Sequence, residues 1–224
     1  MIMQPLMGAA VFAIVGIIAK TSTGSTPRFP FMFASFLGWT AFSQTLLKNS
    51  GCLVQNSNLV SKVYFPRLVL PLSNLVSVFV DFVVALPLLV VFMLYWGIPF
   101  TPQMLLMPVW LLLLLLMLAL GIGLIAAGLT VQYRDVQYIL PVAIQFLLYV
   151  SPVWFMRQDM PQQFSFLYHI NPLSGLIEAF RTSLLGTNEL NWGQVGYSAA
   201  LSLIVLAIGA FSFRSMERRF ADVI

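Results

Sequence analysis

The sequence predicts an all-α integral membrane protein with six transmembrane helices and a re-entrant helical segment between the fifth and the sixth. Three observations carry that reading. Of 224 residues, 60% are hydrophobic and only 8% are charged, against about 25% charged in a soluble domain, and the mean hydropathy is +0.93. No Asp, Glu, Lys or Arg occurs in 1–19, 29–47, 82–133, 136–156 or 190–213. Each gap can hold at least one crossing of ~30 Å of hydrocarbon, which takes roughly 17–25 helical residues. Finally, Arg157 to Gln194 is too polar to span and too apolar for a solvated loop, and Pro161, Pro172 and Gly186 interrupt it. A pair of half-helices sheltered by protein reconciles both properties.

Span one is Ile2 to Ala19. It lacks a basic n-region, and Lys20 to Pro27 offers no convincing small-x-small cleavage site, so a retained span is expected rather than a signal peptide. Span two, about Pro30 to Leu47, is rich in aromatics: Phe31, Phe33, Phe36, Trp39 and Phe42. The polar segment Lys48 to Arg67 follows, with turn signals at Asn56-Ser57-Asn58 and Pro66. Within it, Leu59, Val60, Val63 and Tyr64 fit a short amphipathic helix at the membrane surface. Span three, Leu68 to Trp96, is longer than a perpendicular crossing requires, so tilt or bending at Pro71 and Pro87 is expected.

Gly97 to Pro102 breaks the chain before span four, Leu105 to about Thr130, where Ala119, Gly123 and Ala127 recur at four-residue spacing. Such a face of small residues lets a neighbouring helix approach closely. The polar turn Gln132 to Tyr138 leads to span five, Ile139 to Phe155; Leu173 to Leu185 reads as an amphipathic helix carrying Glu178 and Arg181. Span six is Val195 to Phe213, ahead of the basic tail Arg214 to Arg219. A single transmembrane domain, 1–224, accounts for the whole chain.

In this arrangement Lys48, Lys62, Arg67, Arg134, Arg214, Arg218 and Arg219 fall on one side, seven cations, against Lys20, Arg28, Arg157 and Arg181, four, on the other. The positive-inside rule then puts both termini in the cytoplasm. The eleven Lys and Arg build no basic stripe, which argues against nucleic acid as a partner. One cysteine, Cys52, cannot form an intrachain disulfide, and one histidine, His169, cannot by itself build a metal site. Neither a G-x-x-x-x-G-K-[ST] phosphate loop nor a G-x-S-x-G nucleophile turn occurs. Transport rather than enzymatic chemistry is expected, with energy supplied by another chain or by an ion gradient.

Several separate stretches carry a resemblance. Asn58 to Pro71 (NLVSKVYFPRLVLP), Tyr133-Arg134-Asp135-Val136-Gln137-Tyr138, Ser151-Pro152-Val153, Asn171-Pro172-Leu173 and Met216 to Asp222 (MERRFAD) occur in that order. Together they resemble the ABC-2 type permeases that export polysaccharides, the O-antigen, capsule and teichoic-acid exporters, over essentially the whole chain. The resemblance implies a half-transporter: a homodimer forming the path, two separate nucleotide-binding ATPase subunits holding ATP and Mg, and no cofactor on this chain. It implies as cargo a polysaccharide on a polyprenyl-diphosphate lipid. Members usually begin with a cytoplasmic amphipathic helix before the first span; here Met1 lies almost inside that span, so the helix is expected to be missing from this sequence.

Candidate residues follow from position and chemistry. Lys62, Val63, Tyr64, Phe65, Pro66 and Arg67 suit either a helix seated in a groove of the ATPase or an interfacial anchor with its aromatics at headgroup level. With the resemblance, coupling to the ATPase is the expectation. Arg134 and Asp135 suit a second ATPase contact or a local ion pair. Asp81, charged within a span, must face protein, a water-filled path or a partner, or be protonated. Trp154, Phe155, Arg157, Tyr168 and Arg181 are candidates for the substrate path, the aromatics offering faces to sugar rings and the arginines charge to phosphate. An exporter of drugs or small lipids and a proton-coupled carrier remain the other open classes.

Overall fold

A computed structural model of the protein describes residues 3–21, 23–24, 26–62, 66–99, 103–186 and 190–220, and among these every regular element is helical. In order they are α1 (Met3–Ile18), α2 (Arg28–Ser50), α3 (Cys52–Gln55), α4 (Ser57–Lys62), α5 (Val69–Tyr95), α6 (Gln103–Gln132), α7 (Val136–Val150), α8 (Ser165–Ile170), α9 (Pro172–Leu185) and α10 (Trp192–Phe220). Two short 3₁₀ turns, Arg157–Asp159 and Gln162–Phe164, join α7 to α8.

Among the described residues, three helical stretches are long and apolar enough to cross a bilayer: Val69–Tyr95, Leu106–Gln132 and Trp192–Glu217. The apolar helices α1 and α7 have 16 and 15 residues, or about 24 and 22 Å at 1.5 Å per residue, less than the ~30 Å core. Span five was expected to run to Phe155, but its helix stops at Val150. Ser151 precedes a proline, which drives it out of the helical region to ψ 146°. Span six extends the other way: no breaker follows Phe213, and α10 continues through the basic tail to Phe220.

At 23 residues α2 has length enough, but it is far less apolar than α5 or α6, and its neighbours are protein. Phe31, Met32, Phe33, Ala34 and Phe42 are completely or almost completely enclosed, and α2 packs against α1, α5, α6 and α9. Its hydroxyls turn back onto its own backbone: Ser35 Oγ donates to the Phe31 carbonyl at 3.0 Å, and Thr45 Oγ1 to that of Ala41 at 2.8 Å. A buried polar side chain satisfied within its own turn needs no outside partner, so α2 can be central and polar together.

The predicted small-residue face of α6 is real: Ala119 and Ala127 are fully buried, and a Cβ on Gly123 would lie 2.8 Å from Asn49 of α2. A second such face meets α10. There a Cβ on Gly121 would stand 2.7 Å from the Val205 carbonyl oxygen, and one on Gly209 would strike the Gly121 carbonyl. Backbones this close exclude any side chain at the crossing.

The contacts sort the bundle into two ends. Gly24 of the α1–α2 loop lies by Met156, and Thr21 shares a recess with Trp154 and Phe164, so this loop and the 151–171 segment form one end. Asn49 at the foot of α2, the start of α5 and the last turns of α6 and α10 gather at the other.

Candidate functional site

The α8–α9 break is built by short-range chemistry. Asn171 caps α9: its side-chain oxygen accepts from the Leu173 N–H at 3.0 Å, and Pro172 occupies the first helical position, where a missing N–H costs nothing. Gly186 ends the helix with φ 65°, its N–H donating to the Thr182 carbonyl at 2.8 Å. Between these caps nearly every residue of α9 is buried, in a cleft between α2, α6 and α10. The protein shelter expected for this segment from its sequence is present. The polar side of α9 is enclosed as thoroughly as its apolar one.

That polar side carries Arg181, which is 2% exposed. Its guanidinium donates to Ser35 Oγ at 3.2 Å and to the Pro152 carbonyl oxygen at 3.0 Å, and stands 4.0 Å over the Phe31 ring. Asn171 Nδ2 meanwhile donates to Ser151 Oγ at 2.9 Å. The motifs Ser151-Pro152-Val153 and Asn171-Pro172-Leu173, which the sequence offers separately, are therefore one structure, clamped by Arg181 and Asn171 to each other and to α2. Arg181 faces protein rather than an open path.

At the same end, two recesses share Met160. A polar cavity of about 670 Å³ is lined by Arg157, Gln158, Gln162, Ser165, Tyr168 and Glu178, among others. An apolar one of about 310 Å³ is lined by Tyr149, Trp154, Phe155, Phe164 and Leu167, among others. Tyr168 is 1% exposed and its hydroxyl donates to Glu178 Oε2. Arg157 lies 5.3 Å from the Tyr168 ring centroid and reaches His169 Nε2 at 3.4 Å. His169 Nδ1 faces the Ser165 carbonyl oxygen at 2.8 Å, so its N–H is assigned there and Nε2 accepts from Arg157. The Trp154 indole nitrogen is buried without a hydrogen-bond partner, and its ring packs on Phe12 and Phe155. Of the path candidates, Trp154, Phe155, Arg157 and Tyr168 come together around these recesses.

Asp81 lies elsewhere, on α5, where Lys48 of α2 is paired with it at 3.4 Å and also donates to Ser77 at 3.1 Å. One turn toward the start of α5, Asn74 donates to the Lys48 carbonyl at 3.2 Å and to Asn49 Oδ1 at 3.1 Å. Asp81 borders a cavity of about 280 Å³ whose polar lining also includes Gln4, Thr40 and Gln44. Gln44 donates across it to Gln4 at 2.8 Å. Lys48 entered the sequence reading only as a topology signal; its cation, at the end of a helix adjacent to α5, is the company Asp81 lacked among the acids.

At the opposite end from the recesses, Arg67 donates to the Glu217 carbonyl oxygen at 2.8 Å, tying the approach to α5 to the last turns of α10. Pro66 and Lys62 are exposed. The candidates Val63, Tyr64 and Phe65 lie outside the described residues. Arg134 and Asp135 are both exposed and form no ion pair with each other, which leaves them open to an external contact. Cys52 is buried, and burial pushes its thiol up to about 12. Sequence reasoning missed the roles of Glu178, Ser35 and Lys48, since each depends on a partner more than nine positions away.

Residues 1–185 match the ABC-2 type transporter family. Among curated relatives, two proteins of Klebsiella pneumoniae named O-antigen export system permease protein RfbA are 25% and 23% identical to this chain. Each alignment covers 87% of the chain and 74% of the relative. A protein of Myxococcus xanthus with the same name is 28% identical over 88% of this chain and 77% of its own length. The apolar helices, the buried α9 and the match over most of the length agree on one identification: this chain belongs to the ABC-2 type transporter family, as a membrane transport subunit.

Proposed function

We propose that the chain is the permease half of an ATP-driven exporter that moves a polysaccharide on a polyprenyl-diphosphate lipid out of the cytoplasm across the inner membrane. In this reading α1, α2, α5, α6, α7 and α10 are the six spans and α8–α9 the re-entrant pair. Two copies form the path, and two ATPase subunits bind the cytoplasmic end through Lys62–Arg67, Arg134 and Asp135. The observation that carries the reading is the enclosure of α9. A polar, proline-broken helix pair is tolerated at membrane depth only when protein covers it, and the cover here comes from α2, α6 and α10. The recesses that gather beside this pair suit a cargo with both polar and apolar parts. Absence of a phosphate loop in the sequence supports hydrolysis on a separate chain, and the names of the relatives support the cargo class.

The test is purification with the candidate ATPase in lipid nanodiscs. A stable complex and faster ATP hydrolysis in the presence of permease are expected, with lipid-linked glycan retained inside a deletion strain. An ATPase that is neither bound nor stimulated would sink the reading, and unchanged surface glycan would overturn the cargo. Topology has its own check, because the buried Cys52 thiol, with a pKa of about 12, stays protonated and silent near neutral pH. In intact cells an impermeant maleimide should label Gln163→Cys and spare Tyr133→Cys.

A further inference from the structure

The polar cavity beside α9 has a chemistry narrower than a general aqueous mouth. Its volume of about 670 Å³ is in the ~300–1,000 Å³ range of small-molecule sites. Glu178 is half-buried within it, and the Tyr168 hydroxyl donates to one of its carboxylate oxygens, Oε2. The other oxygen has no hydrogen-bond partner among the described residues. It is free to accept from a hydroxyl. Gln162 brings an amide that can donate and accept, and Gln158, whose amide nitrogen donates to Met156 Sδ at 3.4 Å, lies beside it. The nearby cation, Arg157, is at the exposed rim, its guanidinium engaged with the Tyr168 face and with His169 Nε2.

We propose that this cavity is a saccharide subsite selective for uncharged, hydroxyl-bearing sugar rings, with Glu178 as the acceptor that recognises a ring hydroxyl and turns away acidic sugars. The inference rests on the reading of the chain as a polysaccharide exporter and narrows its cargo. A carboxylate positioned to accept hydrogen bonds rewards a hydroxyl donor, whereas a uronate brings like charge against it. The Gln162 amide suits the mixed donors and acceptors of a pyranose equally well. Buried on one side by Tyr168, the acceptor is held in place before ligand arrives, which limits the cost of ordering it.

The experiment uses the purified permease–ATPase complex in nanodiscs and two soluble probes, a neutral hexose trisaccharide and a trigalacturonate, with binding read by saturation-transfer NMR and titration. The neutral probe is expected to bind about tenfold more tightly, a difference of ~1.4 kcal/mol. Glu178→Gln keeps an oxygen for the Tyr168 hydroxyl and removes the charge, so it should bring the ratio to within about twofold. Equal binding of both probes to the native complex, or tighter binding of the acidic probe that Arg157→Gln abolishes, overturns the proposal. So does binding of neither probe by a complex that still hydrolyses ATP on adding lipid-linked glycan, a result that leaves the exporter reading standing. Selective binding by a chain that no ATPase recognises would do the reverse.

Discussion

Arg181 and Lys48 are both held within this bundle, and they are held differently. Arg181 is enclosed by α2, α9 and the 151–153 turn, and its contacts are neutral: a hydroxyl, a carbonyl oxygen and an aromatic face. Lys48 pairs with a true counter-charge, Asp81, but a quarter of its side chain is exposed and that of Asp81 is 29% exposed. The neutral site is the stronger constraint. A planar guanidinium satisfies two acceptors and a ring in one geometry, while the ammonium of an accessible pair has water or headgroups as alternatives and contributes only ~0–1 kcal/mol. The enclosed node joins three segments; the open pair joins two helices that already share other hydrogen bonds.

The strongest break of this contrast is Arg181→Ala. It removes two charge-assisted hydrogen bonds, leaves the Pro152 carbonyl oxygen buried and unpaired, and opens a cavity over Phe31, with an expected loss of about 3 kcal/mol. In a thermal unfolding assay in detergent that corresponds to a fall of roughly 6–12 °C. Arg181→Lys should recover only part, about half, since an ammonium has no planar face to stack on Phe31. A fall as small as that of a surface substitution would show that the node does not organise α9.

Next in size is Asn171→Ala, which removes the cap of α9 and the tie to Ser151 together. About 1–2 kcal/mol is expected, combining ~1 kcal/mol for a cap with a neutral hydrogen bond of similar worth. Asn171→Ser offers a sharper version, because serine caps helices well but is too short to reach Ser151 Oγ. Its loss should be about half as large, read as the shift in the same unfolding curve.

The contrast also marks how far the sequence could be read. Spans three, four and six stand out because α5, α6 and α10 each hold a long uninterrupted apolar stretch, α5 and α10 facing mostly outward and α6 packed inside the bundle. The centre of the bundle was harder, since α2 meets protein and may carry Ser35, Thr45 and Lys48 without penalty; its hydropathy understates its depth. Span five ran short at Ser151 because a proline dictates the residue before it, a local rule visible in the sequence and outweighed there by an unbroken apolar run. The α9 break was legible from Asn171-Pro172 and Gly186, each a cap signal. What the motifs bind to was not. That Ser151 meets Asn171, Arg181 meets Ser35, or Lys48 meets Asp81 depends on helix packing, which no pattern within one helix encodes. Among the proposed site residues, the aromatic cluster was found by its density, but Glu178 was passed over because a lone acid in an amphipathic helix ordinarily faces water.

The smallest effect belongs to Asp81→Asn, and it decides what the charge in α5 is for. An amide oxygen can still accept from Lys48, and Ser77 remains as the second acceptor, so under about 1 kcal/mol of stability should be lost. If the carboxylate serves the pairing of α2 with α5, permease-stimulated ATP hydrolysis and glycan export should stay within about twofold of the parent. A carboxylate that titrates during transport could not be replaced by an amide at all, and a proton-coupled carrier would stop. Export abolished by Asp81→Asn while the unfolding curve stays in place would therefore move Asp81 from a helix contact to the transport path, and with it the 280 Å³ cavity that it lines.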